Sequence, residues 1–303
     1  MAILRLLLGD QLSRSVSSLR DACADDIILM AEVAEEASYV AHHQLKLVLI
    51  FSAMRHFAEG LAAEFPRLNY RRYDDNSHQV AASLFDAVEQ LVATEQIEKV
   101  VLTEPGEYRL REVIKTWSAS LGMPVEVRED DRFIASHDEF ATWFSGRKQA
   151  TMEYFYRGLR RRTGLLMRDG KPEGGKWNYD ADNRKRLPKQ QSVIEPLRFT
   201  PDEITREVIA MVVQNFSHHM GDAAAFFYAV TQDEAQQALD YFCRHHLPVF
   251  GDYQDAMHDQ QAFVFHSLLS AYINIGLLNP LACLLFTSPS PRDVEDSRLP
   301  STA

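Results

Sequence analysis

Cysteine is scarce in this chain: three among 303 residues, Cys23, Cys243 and Cys283, widely separated and without a CxxC spacing. Such a set builds no disulfide framework. Nor can it supply the cysteines of a zinc or iron–sulfur site within the chain. A reducing cytoplasm is the compartment this usage implies. Long apolar runs are missing too: nothing approaches the roughly 18 residues of a bilayer span, so no membrane partner is expected. The opening MAILRLLLGDQLSRS has neither a basic start nor a small-residue cleavage site, and reads as a first strand rather than a signal peptide. Also absent are a GxxxxGK(S/T) phosphate loop, a GxSxG elbow, an HExxH zinc helix and a GxGxxG turn, which removes several common enzyme classes.

Positive charge is in deficit. Lys+Arg 32 against Asp+Glu 43 leaves a net −11, which excludes a uniformly basic coat for nucleic acid. The deficit is uneven. Residues 157–189 hold 11 Lys/Arg and 4 Asp/Glu, a local +7, so the remainder carries −18 (−11 − 7). One concentrated basic segment on an acidic body offers a polyanion a single docking place.

What is present is enough apolar residue (46%) for real cores, over a length of about two domains. Residues 3–8 and 27–33 are near-continuous apolar runs, as strands buried on both faces should be. Residues 43–65 repeat apolar positions at helical spacing. Then 69–73 reads as a strand, 80–94 as a helix, 99–103 as a strand, 107–121 as a helix and 125–128 as a last strand. Such alternation predicts an α/β fold: a doubly wound parallel, Rossmann-like sheet over residues 1–135. Ligands on such sheets bind outside the C-terminal strand ends.

Residues 136–200 lose this pattern and read as a basic connector after a helical stretch near 151–162. Residues 201–280 are helical in character, with a start at Thr200-Pro201-Asp202-Glu203 and an apolar helix pair over 255–275. Residues 281–303, rich in proline and serine, read as disordered.

Several constellations have chemical potential, each beside a plainer reading. Gly9-Asp10-Gln11 follows the first strand, where free N–H groups could hold a polar ligand or where Asp10 or Ser13 simply caps a helix. Glu32, Glu35 and Glu36 follow the second strand. They could accept hydrogen bonds from a heteroaromatic ligand, or merely complement a helix dipole. The pairs His42-His43, His218-His219 and His245-His246 invite a metal. Adjacent helical residues diverge by about 100°, so surface or capping roles are the stronger reading. Residues 171–189 interleave cations with Trp177 and Tyr179, suited to phosphates and bases or to a solvated linker. Ser267 and Ser270 sit three apart, within reach of one phosphate if on one helical face, or back-bonded in a core helix.

LLLGDQLS, EVAEEASYVAHHQLKLVLIFSAMRHFA, MRDGKPEGGKWNYDADNRKRLP and FGDYQDAM followed by FHSLLSAYINIGLLNP together resemble the cryptochrome/photolyase-related flavoproteins. The likeness is greatest to the iron–sulfur bacterial cryptochromes and prokaryotic (6-4) photolyases. FHSLLSAYINIG also resembles the wider photolyase pattern T/S-S-x-L-S-P-Y-L-x-x-G, with Ala271 where proline is usual.

The resemblance implies an α/β antenna domain, an interdomain segment and an all-α FAD-binding domain. It implies a lumazine antenna chromophore lined by Gly9, Asp10, Gln11, Glu32 and Glu36, and FAD phosphates met by Ser267, Leu268 and Ser270. It places Asp255 at the flavin–lesion cavity, and Arg184, Lys185 and Arg186 against damaged DNA. The activity implied is light-driven electron transfer from reduced FAD to a pyrimidine photoproduct.

After Pro280 the family pattern stops. The expectation is therefore an FAD domain incomplete in this chain, with the family's 4Fe-4S ligands missing, a tail foreign to the family, and no repair activity. A monomer is expected. The alternative is a non-catalytic α/β module for a small ligand and nucleic acid, or a blue-light photoreceptor.

Overall fold

The structure is a computed structural model that describes residues 2–74, 81–179, 181, 183, 185–188 and 192–287. In chain order its first elements are β1 (Ala2–Leu6), β2 (Ile27–Ala31), α1 (Ala34–Ser38), α2 (Gln44–Ala62), β3 (Leu68–Arg71) and α3 (Leu84–Thr94). Next come β4 (Ile97–Thr103), α4 (Tyr108–Ile114), α5 (Trp117–Leu121), β5 (Val125–Arg128), α6 (His137–Phe144), α7 (Met152–Thr163), β6 (Met167–Arg168) and β7 (Lys171–Pro172). The last are α8 (Glu203–Asn215), α9 (Gln232–His245), α10 (Leu247–Tyr253), α11 (Ser270–Asn274) and α12 (Pro280–Thr287). Among the described residues no helix is long and apolar enough to cross a membrane.

Two compact units result. The first gathers Met1–Asp131, Arg198–Ala238 and Leu269–Leu278. Its centre is a five-stranded, wholly parallel sheet in the order β3-β2-β1-β4-β5. The chain leaves β1 toward β2 and β3, then returns to place β4 on the other side of β1. The doubly wound α/β fold expected from the alternation is the fold observed. Its topological switch point lies between β1 and β4.

The pleat explains the two-sided core. Leu4, Leu6, Leu29, Val100 and Leu102 join one apolar cluster with Leu84, Val88 and Leu91 of α3 and with Trp117. A capping box at Ser83 and Asp86 starts α3, so the helix expected over 80–94 begins at Leu84. α2 contributes Leu47, Phe51, Met54, Ala58 and Leu61 as a buried stripe and packs on α8. The helix expected over 107–121 is two. Thr116 donates its hydroxyl to the Val113 carbonyl at 2.7 Å, a local bond that competes with the ladder and marks the break.

One strand position defies the apolar reading. Arg5, the fourth of the five residues of β1, is 1% exposed. Its guanidinium donates to Asp26 and Asp21 at 2.7 Å and to the Ser18 carbonyl at 2.6 Å, so the buried charge is neutralised.

The second unit draws on Arg132–Leu197, Leu239–Leu268 and described residues from Asn279 onward. Phe140 and Trp143 of α6 pack on Phe155 of α7, with centroids 5.2 and 5.0 Å apart.

Two readings need correction. The helix pair expected over 255–275 is not formed; within that span only α11 is helical. Val264 and Phe265 are buried in non-helical backbone, and a turn with a His258–Gln261 bridge precedes them. Within 281–303, read as disordered, residues up to Thr287 form α12. Pro280 opens it, and the Asn279 side chain accepts from the Leu281 and Ala282 N–H groups. The rest of that tail, 288–303, lies outside the described residues.

Candidate functional site

The crevice at the switch point is bounded by three segments: the turn after β1, the start of α1 after β2, and the EPGEYR loop between β4 and α4. Gln11, fully buried, staples the first to the third. Its amide donates to the Thr103 carbonyl at 3.1 Å and the Glu104 carbonyl at 3.3 Å, while its oxygen accepts from the Leu8 N–H at 3.4 Å. Gln11 therefore shapes the rim with all its polar atoms engaged. Gly9 packs closely: a Cβ there would lie 3.1 Å from Ile50 Cγ2 and Met54 Sδ, so those side chains would have to give slightly. Asp10 is half-buried, with its carboxylate beside Gly106 of the third segment.

The acids after β2 divide. Glu32, expected at the ligand, is 2% exposed and committed inward. Its carboxylate accepts from Arg55 at 2.7 and 2.9 Å, from the Tyr70 hydroxyl at 2.6 Å and from the Tyr73 N–H at 2.8 Å. Four donors on one buried carboxylate leave nothing for a ligand. Glu36 is different. One oxygen accepts from Arg109 at 2.7 Å, whereas Oε1 is buried without a partner. Burial pushes the Glu36 carboxyl above its usual range, against the opposing pull of Arg109.

Arg109 spans the crevice. Besides Glu36 it pairs with Glu107 at 3.1 Å, lies 3.6 Å from Glu35, and sits 4.3 Å from the centre of the Tyr39 ring. Tyr39 and Tyr108 remain 43% and 71% exposed. Around Arg109 the fold thus gathers a buried carboxylate oxygen without a partner, a planar cation and the half-exposed ring of Tyr39. Sequence reasoning missed Arg109, Glu107 and Tyr108. The signal was the position of EPGEYR at a strand end beside the switch point.

In the second unit, two sequence-flagged segments come together. Lys185 donates through Nζ to Asp252 at 2.7 Å and through its backbone N–H to the Asp252 carbonyl at 3.2 Å. The Asp255 N–H donates to the Asn183 carbonyl at 3.3 Å. The basic segment is therefore pinned to the end of α10, with Arg186 and Asp255 exposed. Arg184 lies outside the described residues.

Ser267, Leu268 and Ser270 do not form the arrangement their spacing suggested. α11 begins at Ser270, Ser267 lies in the preceding loop, and Leu268 takes φ 55°, so the hydroxyls share no helical face. Two of the histidine pairs have members with structural roles. His43 caps α2 by accepting from the Leu45 N–H, and His219 Nδ1 lies 2.8 Å from the His42 carbonyl. Among the described residues no group of three or more His, Cys, Asp or Glu could hold a metal ion.

With this geometry in view, comparison with known proteins adds three findings. A family model described as "Deoxyribodipyrimidine photo-lyase-related protein" matches residues 5–228, more than half of the chain. A (6-4) photolyase of Agrobacterium fabrum (strain C58 / ATCC 33970) is 45% identical over 284 residues, covering 93% of this chain and 55% of the relative. The chain thus spans about half of that relative's length. A bacterial class III photolyase structure from Agrobacterium tumefaciens superposes with a TM-score of 0.52 at 13% identity, covering 98% of this chain and 56% of the other, a likeness of fold.

Proposed function

The chain belongs to the Deoxyribodipyrimidine photo-lyase-related protein family, and from that premise we propose that its α/β unit is an antenna domain that holds a lumazine in the switch-point crevice. The buried, unpartnered Oε1 of Glu36 carries this reading. A lumazine is a planar heteroaromatic whose polar hydrogens seek an acceptor in a dry site. Glu36 would accept from it, Asp10 would supply a second acceptor, and Tyr39 and Arg109 would face its ring. Gln11 and Glu32 act behind these groups by fixing the strand ends. When bound, such a group absorbs light and passes the excitation on; the chain's own residues orient it and limit water.

The flavin stands apart. Ser267 lies in the loop before α11 and Ser270 begins that helix, and no step through FAD is derived from them. For the 303-residue chain we therefore place chromophore holding ahead of repair. Light-driven repair of a pyrimidine photoproduct in damaged DNA, in the cytoplasm, is our proposal for a protein of the relative's full length. The pinned basic segment with Arg186 would then approach the DNA backbone.

Absorption and binding spectra of the purified chain test the reading. A lumazine titrated into the chain should bind, and Glu36→Ala should weaken binding about tenfold or more. Equal binding by both would remove the crevice from the proposal. A flavin band near about 450 nm in the purified chain would overturn the separation of chromophore holding from FAD. A colourless chain that takes up no lumazine would favour the plain nucleic-acid module.

A further inference from the structure

We propose that His42 and His219 are positioning residues for the crevice: through them, docking of residues 219–223 on the start of α2 and ligand binding at Glu36 and Tyr39 reinforce one another. The ligand half of this inference rests on the antenna reading; the docking half does not.

The stretch between α1 and α2 carries Tyr39 and has little of its own to hold it. Residues 38–41 are exposed, and within 38–44 only His42 and Gln44 are buried. One distant segment clasps both anchors. His219 Nδ1 lies 2.8 Å from the His42 carbonyl, and since a carbonyl only accepts, the Nδ1–H donates. The Gln44 side chain donates to the His219 carbonyl at 3.0 Å and accepts from the Ala223 N–H at 3.2 Å. The Gln44 N–H donates to the Met220 carbonyl at 2.8 Å. These bonds join residues 175–179 apart in the chain, so no local propensity supplies them. Undocking of 219–223 would release both anchors together.

His42 passes the restraint on. Its ring meets that of Tyr39 edge-on with centroids 5.0 Å apart, and its Nδ1 lies 3.2 Å from Lys46 Nζ. Burial and then Lys46 hold the imidazole below its usual range, while a backbone hydrogen bond at Glu36 pulls the other way. A neutral ring whose Nδ1 accepts from the ammonium carries its hydrogen on Nε2, the nitrogen left for the Glu36 backbone. His42 thus meets both Glu36 and Tyr39 with its side chain, while His219 holds its carbonyl. A ligand spends less entropy on a Tyr39 that is already ordered, and linkage makes the benefit mutual.

The test pairs lumazine titration with hydrogen exchange on the full chain. His219→Ala should weaken lumazine binding about five- to tenfold. In the ligand-free chain it should also speed exchange of the Tyr39 and His42 amides, both hydrogen-bonded in the parent. His219→Asn puts an amide N–H where Nδ1 stands and should restore both readouts to within about twofold. Saturating lumazine should in turn slow exchange over 219–223, a segment with no assigned ligand contact, by a similar factor. Circular dichroism melts establish folding. Gly221→Ala, which crowds the His43 ring from the same segment, should weaken lumazine binding in the same direction and serves if His219→Ala does not fold. Folded variants that bind lumazine like the parent, with exchange over 219–223 indifferent to lumazine, would overturn the proposal. So would a loss of binding that His219→Asn does not restore, since His219 would then be a packing residue only. A parent chain that takes up no lumazine removes the antenna reading instead. Exchange at Tyr39 and His42 then decides alone: unchanged rates in ligand-free His219→Ala would refute the positioning role, and faster ones would uphold it.

Discussion

Glu32 holds Arg55 by both carboxylate oxygens inside the α/β unit, Nε to Oε1 at 2.7 Å and Nη2 to Oε2 at 2.9 Å. Arg55 belongs to α2 and Glu32 follows β2, while Tyr70 of β3 and the Tyr73 N–H complete the carboxylate's partners. The pair ties a helix to two strand ends. Behind it, the crevice keeps its shape.

Breaking that pair from one side should therefore be costly. Glu32→Gln removes the bidentate partner of a buried guanidinium and leaves it Asp74 at 3.0 Å, and a loss of about 2–4 kcal/mol is expected. Urea unfolding of the variant measures it. A loss below about 1 kcal/mol would mean that water reaches Arg55.

Glu36 should behave in the opposite sense. Its pKa is raised by burial, so the stability linked to this group is present below the ordinary carboxylate range and is lost as pH rises through the raised value. Glu36→Gln removes that loss. Melting temperatures near pH 7.5 should equal or exceed those of the parent chain, while lumazine affinity falls about tenfold. A variant that is clearly less stable at pH 7.5 would contradict the burial argument.

Asp21 supplies the acid limb. Its hydrogen bond from Arg128, aided by Arg5 and opposed by slight burial, holds the carboxyl far below the usual range. The associated stability is present above the unfolded-state value and is lost as pH falls toward the depressed one. Melting temperature should thus drop steeply below about pH 4, and Asp21→Asn should flatten that drop while lowering stability at neutral pH. A variant with an unchanged acid profile would assign the limb to other carboxylates.

Gly221 is the tightest backbone position of the first unit. It takes φ +97°, and a Cβ would fall 2.1 Å from the His43 ring. Here the 216–225 segment docks on the start of α2: the Gln44 N–H donates to the Met220 carbonyl at 2.8 Å, and its side chain donates to the His219 carbonyl at 3.0 Å. Gly221→Ala should cost about 1–3 kcal/mol and speed proteolysis of this segment. Resistance equal to that of the parent chain would show that the segment shifts without penalty.

Arg186 tests the basic segment cleanly, because Lys185 is already paired with Asp252. Arg186→Ala should lower the salt slope for duplex DNA by about 1, and Lys185→Ala by less. Equal effects at the two positions would mean that the Asp252 pair opens on binding.

Local pattern was sufficient for the sheet. Runs such as 27–33 are apolar on both faces, and only a covered parallel strand buries both. The same periodicity located α2 and α8, since one stripe of each must leave water. Glu36 was legible as an acid at a strand end, and the resemblance of EVAEEASYVAHH attached a ligand class to it. Its difference from Glu32 was not legible. Both are acids after β2, and only the approach of Arg55 and Tyr70 from α2 and β3 makes one a core ion and the other a rim acceptor. Arg109 was hidden for a similar reason: EPGEYR has no motif, and its meaning comes from lying across β1 from α1.

By itself, then, the amino-acid sequence determined the strand–helix alternation, the polar turns at the strand ends and the concentration of cations over 157–189, because these follow from period and composition. The tertiary structure alone decided which charges are spent. Arg5, Glu32 and Lys185 are neutralised by residues distant in the chain, whereas Oε1 of Glu36 is left without a partner. Charge pairing acts over a few ångströms in space, and sequence separation does not record that distance.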